Sequence, residues 1–141
     1  MFTLDPRLEH DTIPLGHFEL SLLLLMNDAN YPWCILVPQR EGVAEVFQLQ
    51  EREQQVLWRE SALLGAALMA AFRGDKLNVA ALGNVVPQLH IHHIVRFQGD
   101  AAWPAPVWGR VQARPYSDGQ LAETAARLRT ALGSAVAWSA P

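Results

Sequence analysis

The chain has 141 residues, of which half are hydrophobic and 18% charged, enough for one domain with a core that needs no disulfide staples. That composition excludes disorder. Fourteen Asp+Glu against eleven Lys+Arg leave a formal charge of −3, and the absence of a basic run excludes a general nucleic-acid binder.

The first twelve residues, MFTLDPRLEHDT, carry Asp5, Pro6, Arg7, Glu9 and Asp11 and do not read as a signal peptide. Asp5 as N-cap and Pro6 at the first helical position predict a short helix there. Glu19 to Met26 is aliphatic, Trp33 to Val37 is β-rich, and the turn-forming Asn27-Asp28-Ala29-Asn30-Tyr31-Pro32 lies between them. A β-hairpin follows, its strands buried on at least one face. The single cysteine, Cys34, cannot form an intramolecular disulfide and points to a reducing, cytoplasmic compartment.

From about Gln50 to Arg73 the apolar spacing changes to three and four residues, through Val56, Leu57, Leu63, Leu64, Ala67, Leu68, Ala71 and Phe72. This predicts the main amphipathic helix, closed by Gly74 at C′. Ala66, Ala67, Ala70 and Ala71 are expected to let it approach a sheet closely. The longest uncharged helical stretch, Ser61 to Phe72, is far short of the roughly 20 residues a membrane crossing needs. Leu77 to Leu82 and Val85 to Phe97 then read as a second hairpin turning at Gly83-Asn84. An irregular stretch follows, with Trp103-Pro104-Ala105-Pro106-Val107-Trp108-Gly109 and Pro115. Ser117-Asp118-Gly119-Gln120 has capping-box spacing and opens a helix to about Leu132, stopped by Gly133. The tail from Ser134 is apolar and short. The expectation is α+β: about five antiparallel strands, one long helix against the sheet and a C-terminal helix, in a single domain over residues 1–141.

The chemistry concentrates in Pro87-Gln88-Leu89-His90-Ile91-His92-His93-Ile94-Val95-Arg96. In a strand, alternation places Gln88, His90, His92 and Arg96 on one side, with Leu89, Ile91, His93 and Val95 on the other. Polar groups two residues apart on an otherwise apolar strand need partners or a task. A histidine pair on a solvated face is the plain alternative. His93, turned away, is expected to pack or lie at the surface.

Asn78, with Gly83-Asn84-Val85-Val86-Pro87-Gln88-Leu89-His90-Ile91-His92, resembles the signature of the histidine-triad nucleotide hydrolases and transferases. Their motif is His-φ-His-φ-His-φ-φ, with φ apolar, on the last long strand before a loop carrying Trp-Pro, which Trp103-Pro104 matches. Gln88 stands where the family usually has histidine, as in a bacterial branch, and Val85 where many relatives have serine. The resemblance implies nucleotidyl transfer at the α-phosphate of a dinucleoside polyphosphate, phosphoramidate or adenylate, through a nucleotidyl-histidine. His90 matches the nucleophile, its other ring nitrogen held by a backbone carbonyl near Gly83, and an imidazole with the ordinary pKa of roughly 6.5 has a free lone pair at neutral pH. His92 matches the histidine that meets the phosphate or leaving-group oxygen. Asn78 matches a phosphate-region contact and Asp28 the carboxylate that holds the ribose hydroxyls, with Asn27, Gly83 and Asn84 beside them. No cofactor is implied; a homodimer is, through the long helix and a sheet edge.

Each of these has a plainer reading. Asn27-Asp28 also makes an ordinary turn, Arg96 could meet a phosphate or be a surface arginine, and Trp103 and Trp108 could close the pocket or pack on their own core. Gln88 cannot carry a proton in the useful pH range. Two other classes of function stay open: a nucleotide-binding module without turnover, and a metal site built on His90 and His92 with His10, His17, Asp28 or Cys34. No recognisable ligand spacing supports the latter.

Overall fold

Continuously aliphatic strands and one long amphipathic helix dictate a sheet covered on its faces, and the computed structural model, which describes residues 1–140, has that form. The chain runs α1 (Pro6–Asp11), β1 (Thr12–His17), β2 (Ser21–Met26), β3 (Trp33–Pro38), α2 (Glu51–Phe72), β4 (Lys76–Ala80), β5 (Ile91–Arg96), α3 (Asp118–Leu132) and β6 (Ala137–Trp138). The strands form one antiparallel sheet in the order β4-β5-β3-β2-β1-β6. The sheet has six strands rather than about five. Pro14 and Gly16 mask β1 in the sequence, and two-residue β6 is too short to show a period. Gly16 is required: a Cβ there would lie 2.3 Å from the Ala137 carbonyl oxygen of β6.

The two faces of the sheet bury different cores. Leu23, Leu25, Cys34, Leu36, Ile91 and Val95 face α2 and α3, meeting Val56, Leu57, Leu64, Leu68, Leu128 and Leu132. Leu24, Trp33, Ile35, Val37 and Ile94 face the other way, under Leu8 of α1 and Ala102 and Val107 of the loop after β5. Among the described residues no helix is long and apolar enough to cross a membrane.

The local signals mostly act as expected. The Asp5 side chain accepts the Arg7 N–H at the start of α1, and Ser117 and Gln120 form the reciprocal capping box of α3. At the end of α2 the left-handed residue is Arg73 (φ 53°), one position before Gly74. Gly74 serves packing instead, since a Cβ there would lie 2.3 Å from Val95 Cγ1. α2 approaches the sheet closely at Gly65, where a Cβ would lie 2.6 Å from Leu77 Cδ2, while Ala66 and Ala70 are exposed.

The second hairpin differs most. β4 ends at Ala80 and β5 begins only at Ile91, so residues 81–90 form a long connection and Gly83-Asn84 is not a two-residue turn. Pro87 has no N–H for a ladder, and the Leu89 N–H leaves the sheet to bond the Val43 carbonyl at 3.0 Å.

Candidate functional site

Strand β5 separates its histidines by alternation. His93, with no exposed surface, points toward α2, where its Nδ1–H donates to the Ile91 carbonyl (3.1 Å) and its Nε2 accepts the Ser61 hydroxyl (2.7 Å). Burial pulls its pKa down to about 4. It packs, on the side that alternation assigns to it.

His90 and His92 share the other face, with ring centroids 4.9 Å apart. His90 precedes the strand, and its Nδ1 lies 2.7 Å from the Gln88 carbonyl oxygen. A carbonyl only accepts, so the proton sits on Nδ1 and Nε2 carries the lone pair. The acceptor is the carbonyl of Gln88, two residues away, rather than one near Gly83. His92 has the opposite arrangement: its Nδ1 lies 3.0 Å from the indole Nε1 of Trp33, which only donates. Burial, reinforced by His90 and His93, pulls the His92 pKa down to about 3, so this ring is neutral with its proton on Nε2. The fully enclosed, unpartnered side-chain polar atoms among the described residues are Ser21 Oγ, Tyr31 OH and Glu60 Oε1. The Nε2 atoms of His90 and His92 are not among them.

Around this pair the other candidates divide into two groups. Met26, Asn27, Asp28, Trp33, Val107 and Trp108 line a cavity of about 470 Å³ beside His92, whose ring lies 5.1 Å from Trp108. Asp28, 5% exposed, accepts three hydrogen bonds on Oδ1, from Asn30 N, Asn30 Nδ2 and Arg114 N, so it both shapes the turn and lines the cavity. Asn27 accepts the Tyr116 N–H.

Arg96 and Asn78 lie apart from that cavity's lining. The Arg96 guanidinium, 1% exposed, is forked onto Asp100 (2.8 and 3.0 Å) and also donates to Asn78 Oδ1 and the Ala105 carbonyl. Burial pushes the Asp100 carboxyl up, but hydrogen bonds from Arg96 and the Phe97, Ala102 and Trp103 N–H groups hold its pKa at about 2. Trp103 covers the guanidinium at 5.7 Å, packing on its own chain. Gly83 (φ 78°) and exposed Asn84 lie in the long connection, Gly83 in a small cleft beside Gln88 and His90. Val85 is exposed, and its carbonyl accepts from Arg7. Both polar atoms of the Gln88 side chain bond the N-terminal backbone, at Thr3 and Asp5.

Among the described residues no group of three His, Cys, Asp or Glu side chains is placed to share a metal ion. Burial pushes the Cys34 thiol up to about 12, which removes it as a thiolate ligand or nucleophile at neutral pH. Sequence reasoning misses Trp33 and Asp100. The turn over Gln98-Gly99 brings Asp100 back to Arg96, and neither that pairing nor the reach of Trp33 to His92 has a periodic signal in the sequence.

The family model for the HIT domain matches residues 7–99. A histidine triad protein from Marinobacter aquaeolei VT8 is 52% identical, with 94% of this chain and 96% of that one covered at a TM-score of 0.92. Histidine triad proteins from Sinorhizobium meliloti 1021 (47% identity, 94% and 98% covered, TM-score 0.92) and Bradyrhizobium japonicum (45%, 92% and 96%, TM-score 0.90) are similarly alike. The C. elegans NitFhit protein, at 20% identity and a TM-score of 0.62 over 84% of this chain and 27% of that one, shares the fold alone. A search of curated proteins found no match.

Proposed function

The chain belongs to the HIT domain family of nucleotide-binding hydrolases and transferases, and on that premise we propose that it transfers a nucleotidyl group through His90. The observation that carries the reading is the 2.7 Å contact of His90 Nδ1 with the Gln88 carbonyl, which leaves the lone pair on Nε2. Nε2 attacks the α-phosphorus of a dinucleoside polyphosphate, phosphoramidate or adenylate, and the bond from phosphorus to the leaving group breaks. The nucleotidyl-imidazolium retains its Nδ1–H, which the Gln88 carbonyl stabilises as charge develops. Water then attacks phosphorus and the P–Nε2 bond breaks, freeing the nucleoside monophosphate and neutral His90, while the proton lost by water passes to solvent and offsets the one the leaving group takes up. His92 stays neutral and offers Nε2–H to a phosphoryl or leaving-group oxygen.

The nucleoside occupies the cavity beside His92, with Asp28 and Asn27 at its ribose. The functional unit is a cytoplasmic homodimer. Exposed Trp58 and Leu63 on the outer face of α2, and exposed Val79 on the edge strand β4, support a joint with a second copy.

Gln88 favours a second reading, a nucleotide-binding module without turnover. Its amide is engaged by Thr3 and Asp5, and exposed Val85 supplies no hydroxyl. Rapid-quench intact-mass analysis with a panel of adenylated and guanylated compounds separates the two. A nucleotidyl adduct on the wild type, absent in His90→Ala, supports transfer. Binding with neither adduct nor product selects the second reading.

A further inference from the structure

Trp33 opens β3, and the register of β3 on β5 explains its reach. Ile35 lies directly across from His92 and Trp33 across from Ile94, so Trp33 is the diagonal neighbour of His92 on the same sheet face. A diagonal span is within reach of an aromatic side chain. The indole Nε1 closes it at 3.0 Å from His92 Nδ1. Both residues are nearly enclosed, Trp33 at 5% and His92 at 4% exposure. His92 is ringed by His90 at 4.9 Å, Trp108 at 5.1 Å and Trp33 at 5.6 Å, which leaves its plane little freedom. Trp108 in turn meets Trp33 edge-on at 5.8 Å.

We infer that Trp33 is a positioning residue for the transfer reaction: its indole N–H locks His92 in the Nε2–H tautomer, opposite to the tautomer that the Gln88 carbonyl imposes on His90. The inference rests on the nucleotidyl-transfer reading for its kinetic consequence, but not for its structural one. Two adjacent imidazoles, their ring centroids 4.9 Å apart, are thereby set as an acceptor and a donor side by side. With both in the same tautomer, the site would offer either two lone pairs or two N–H groups. The neutrality of His92 follows from its burial, so the donor is an N–H without a net charge. Loss of the indole N–H frees His92 to place its proton on Nδ1, which removes the donor.

The test begins with the unmodified protein. In ¹⁵N-labelled wild type, long-range ¹H–¹⁵N spectra should show His92 protonated on Nε2, with a scalar coupling across the hydrogen bond to Trp33 Nε1. A wild-type His92 protonated on Nδ1 overturns the inference, whether or not the protein turns over any substrate. In Trp33→Phe, which keeps an aromatic ring in the same place, His92 should show mixed tautomers. Its kcat should fall roughly 3- to 10-fold, the value of one neutral hydrogen bond, with KM nearly unchanged. Trp33→His can restore a ring N–H and should recover part of the loss. Combined with His92→Ala, Trp33→Phe should cost nothing more. A His92 that stays protonated on Nε2 in Trp33→Phe, or an equal kcat loss in the His92→Ala background, overturns the positioning role. If no compound is turned over by the wild type, the transfer reading fails while the tautomer spectra still decide the role of Trp33.

Discussion

Gln88 Oε1 accepts the backbone N–H of Asp5 at 2.8 Å, and its Nε2 donates to the Thr3 carbonyl at 2.8 Å. The residue at the first position of the motif thus ties the N-terminal segment to the histidine connection. Arg7 adds a second tie through the Val85 carbonyl.

Gln88→Ala should therefore release residues before α1. The loss of two partly exposed hydrogen bonds is worth about 1–2 kcal/mol. Amide exchange at Asp5 should accelerate in the variant, while the core strands keep their protection. Unchanged exchange at Asp5 would mean that the segment is held by other contacts.

His90→Ala should lower turnover by roughly 10³-fold or more, the usual scale for losing a nucleophile. Its side chain makes one hydrogen bond, to the Gln88 carbonyl, so thermal stability should change little. Ser61→Ala is the contrasting variant. It leaves His93 Nε2 buried without a partner and should cost about 1–3 kcal/mol of stability with unaltered kcat. Denaturant titration alongside product release measures both.

Asp28→Asn keeps an oxygen for the Asn30 and Arg114 N–H groups, so the turn should survive. Reduced charge at the cavity should weaken discrimination against 2′-deoxyribonucleotides by about 10-fold, the scale of a charged hydrogen bond. An unchanged ribose preference in a folded variant would leave Asp28 with a turn role alone.

Asp100→Ala strands the Arg96 guanidinium, 1% exposed, without its counter-charge. Breaking one side of a buried pair costs about 3–5 kcal/mol. Equilibrium unfolding should show a loss of that size, far above that of Asn78→Ala, which removes a single bond to the same group.

Acid should weaken the fold before the usual carboxylate range is reached. His93 titrates near pH 4 when folded and near 6.5 when unfolded. Between those values the unfolded chain takes up a proton that the folded chain does not. Its contribution is complete above about pH 6.5 and is lost as the pH falls to 4, by about 3 kcal/mol. His92, near 3, acts in the same direction. Burial raises the Glu60 carboxyl, which works against this by favouring the folded state at acid pH. Unfolding free energies at pH 8, 6, 5 and 4 should descend, and a flat series would contradict the burial of both histidines as neutral rings.

The sequence by itself determined whatever depends on near neighbours. Asp5, Ser117 and Gly133 mark helix ends because capping acts within a few residues. Alternation in Ile91-His92-His93-Ile94 separates the site histidine from the packed one because a strand has a period of two. The motif of Gln88 to His92 pointed to the family for the same reason, since its spacing is local. Contacts that close over long separations were decided by the tertiary structure alone. The connection of residues 81–90 leaves the sheet because Leu89 finds Val43, and β6 exists because Gly16 admits its backbone. Arg96 is buried because Asp100 and Asn78 converge on it, and the Gln88 amide is engaged because the Thr3 and Asp5 backbone come within its reach. The tautomer of His92 is set by an indole 59 residues away in the chain, a relation that only strand pairing can create.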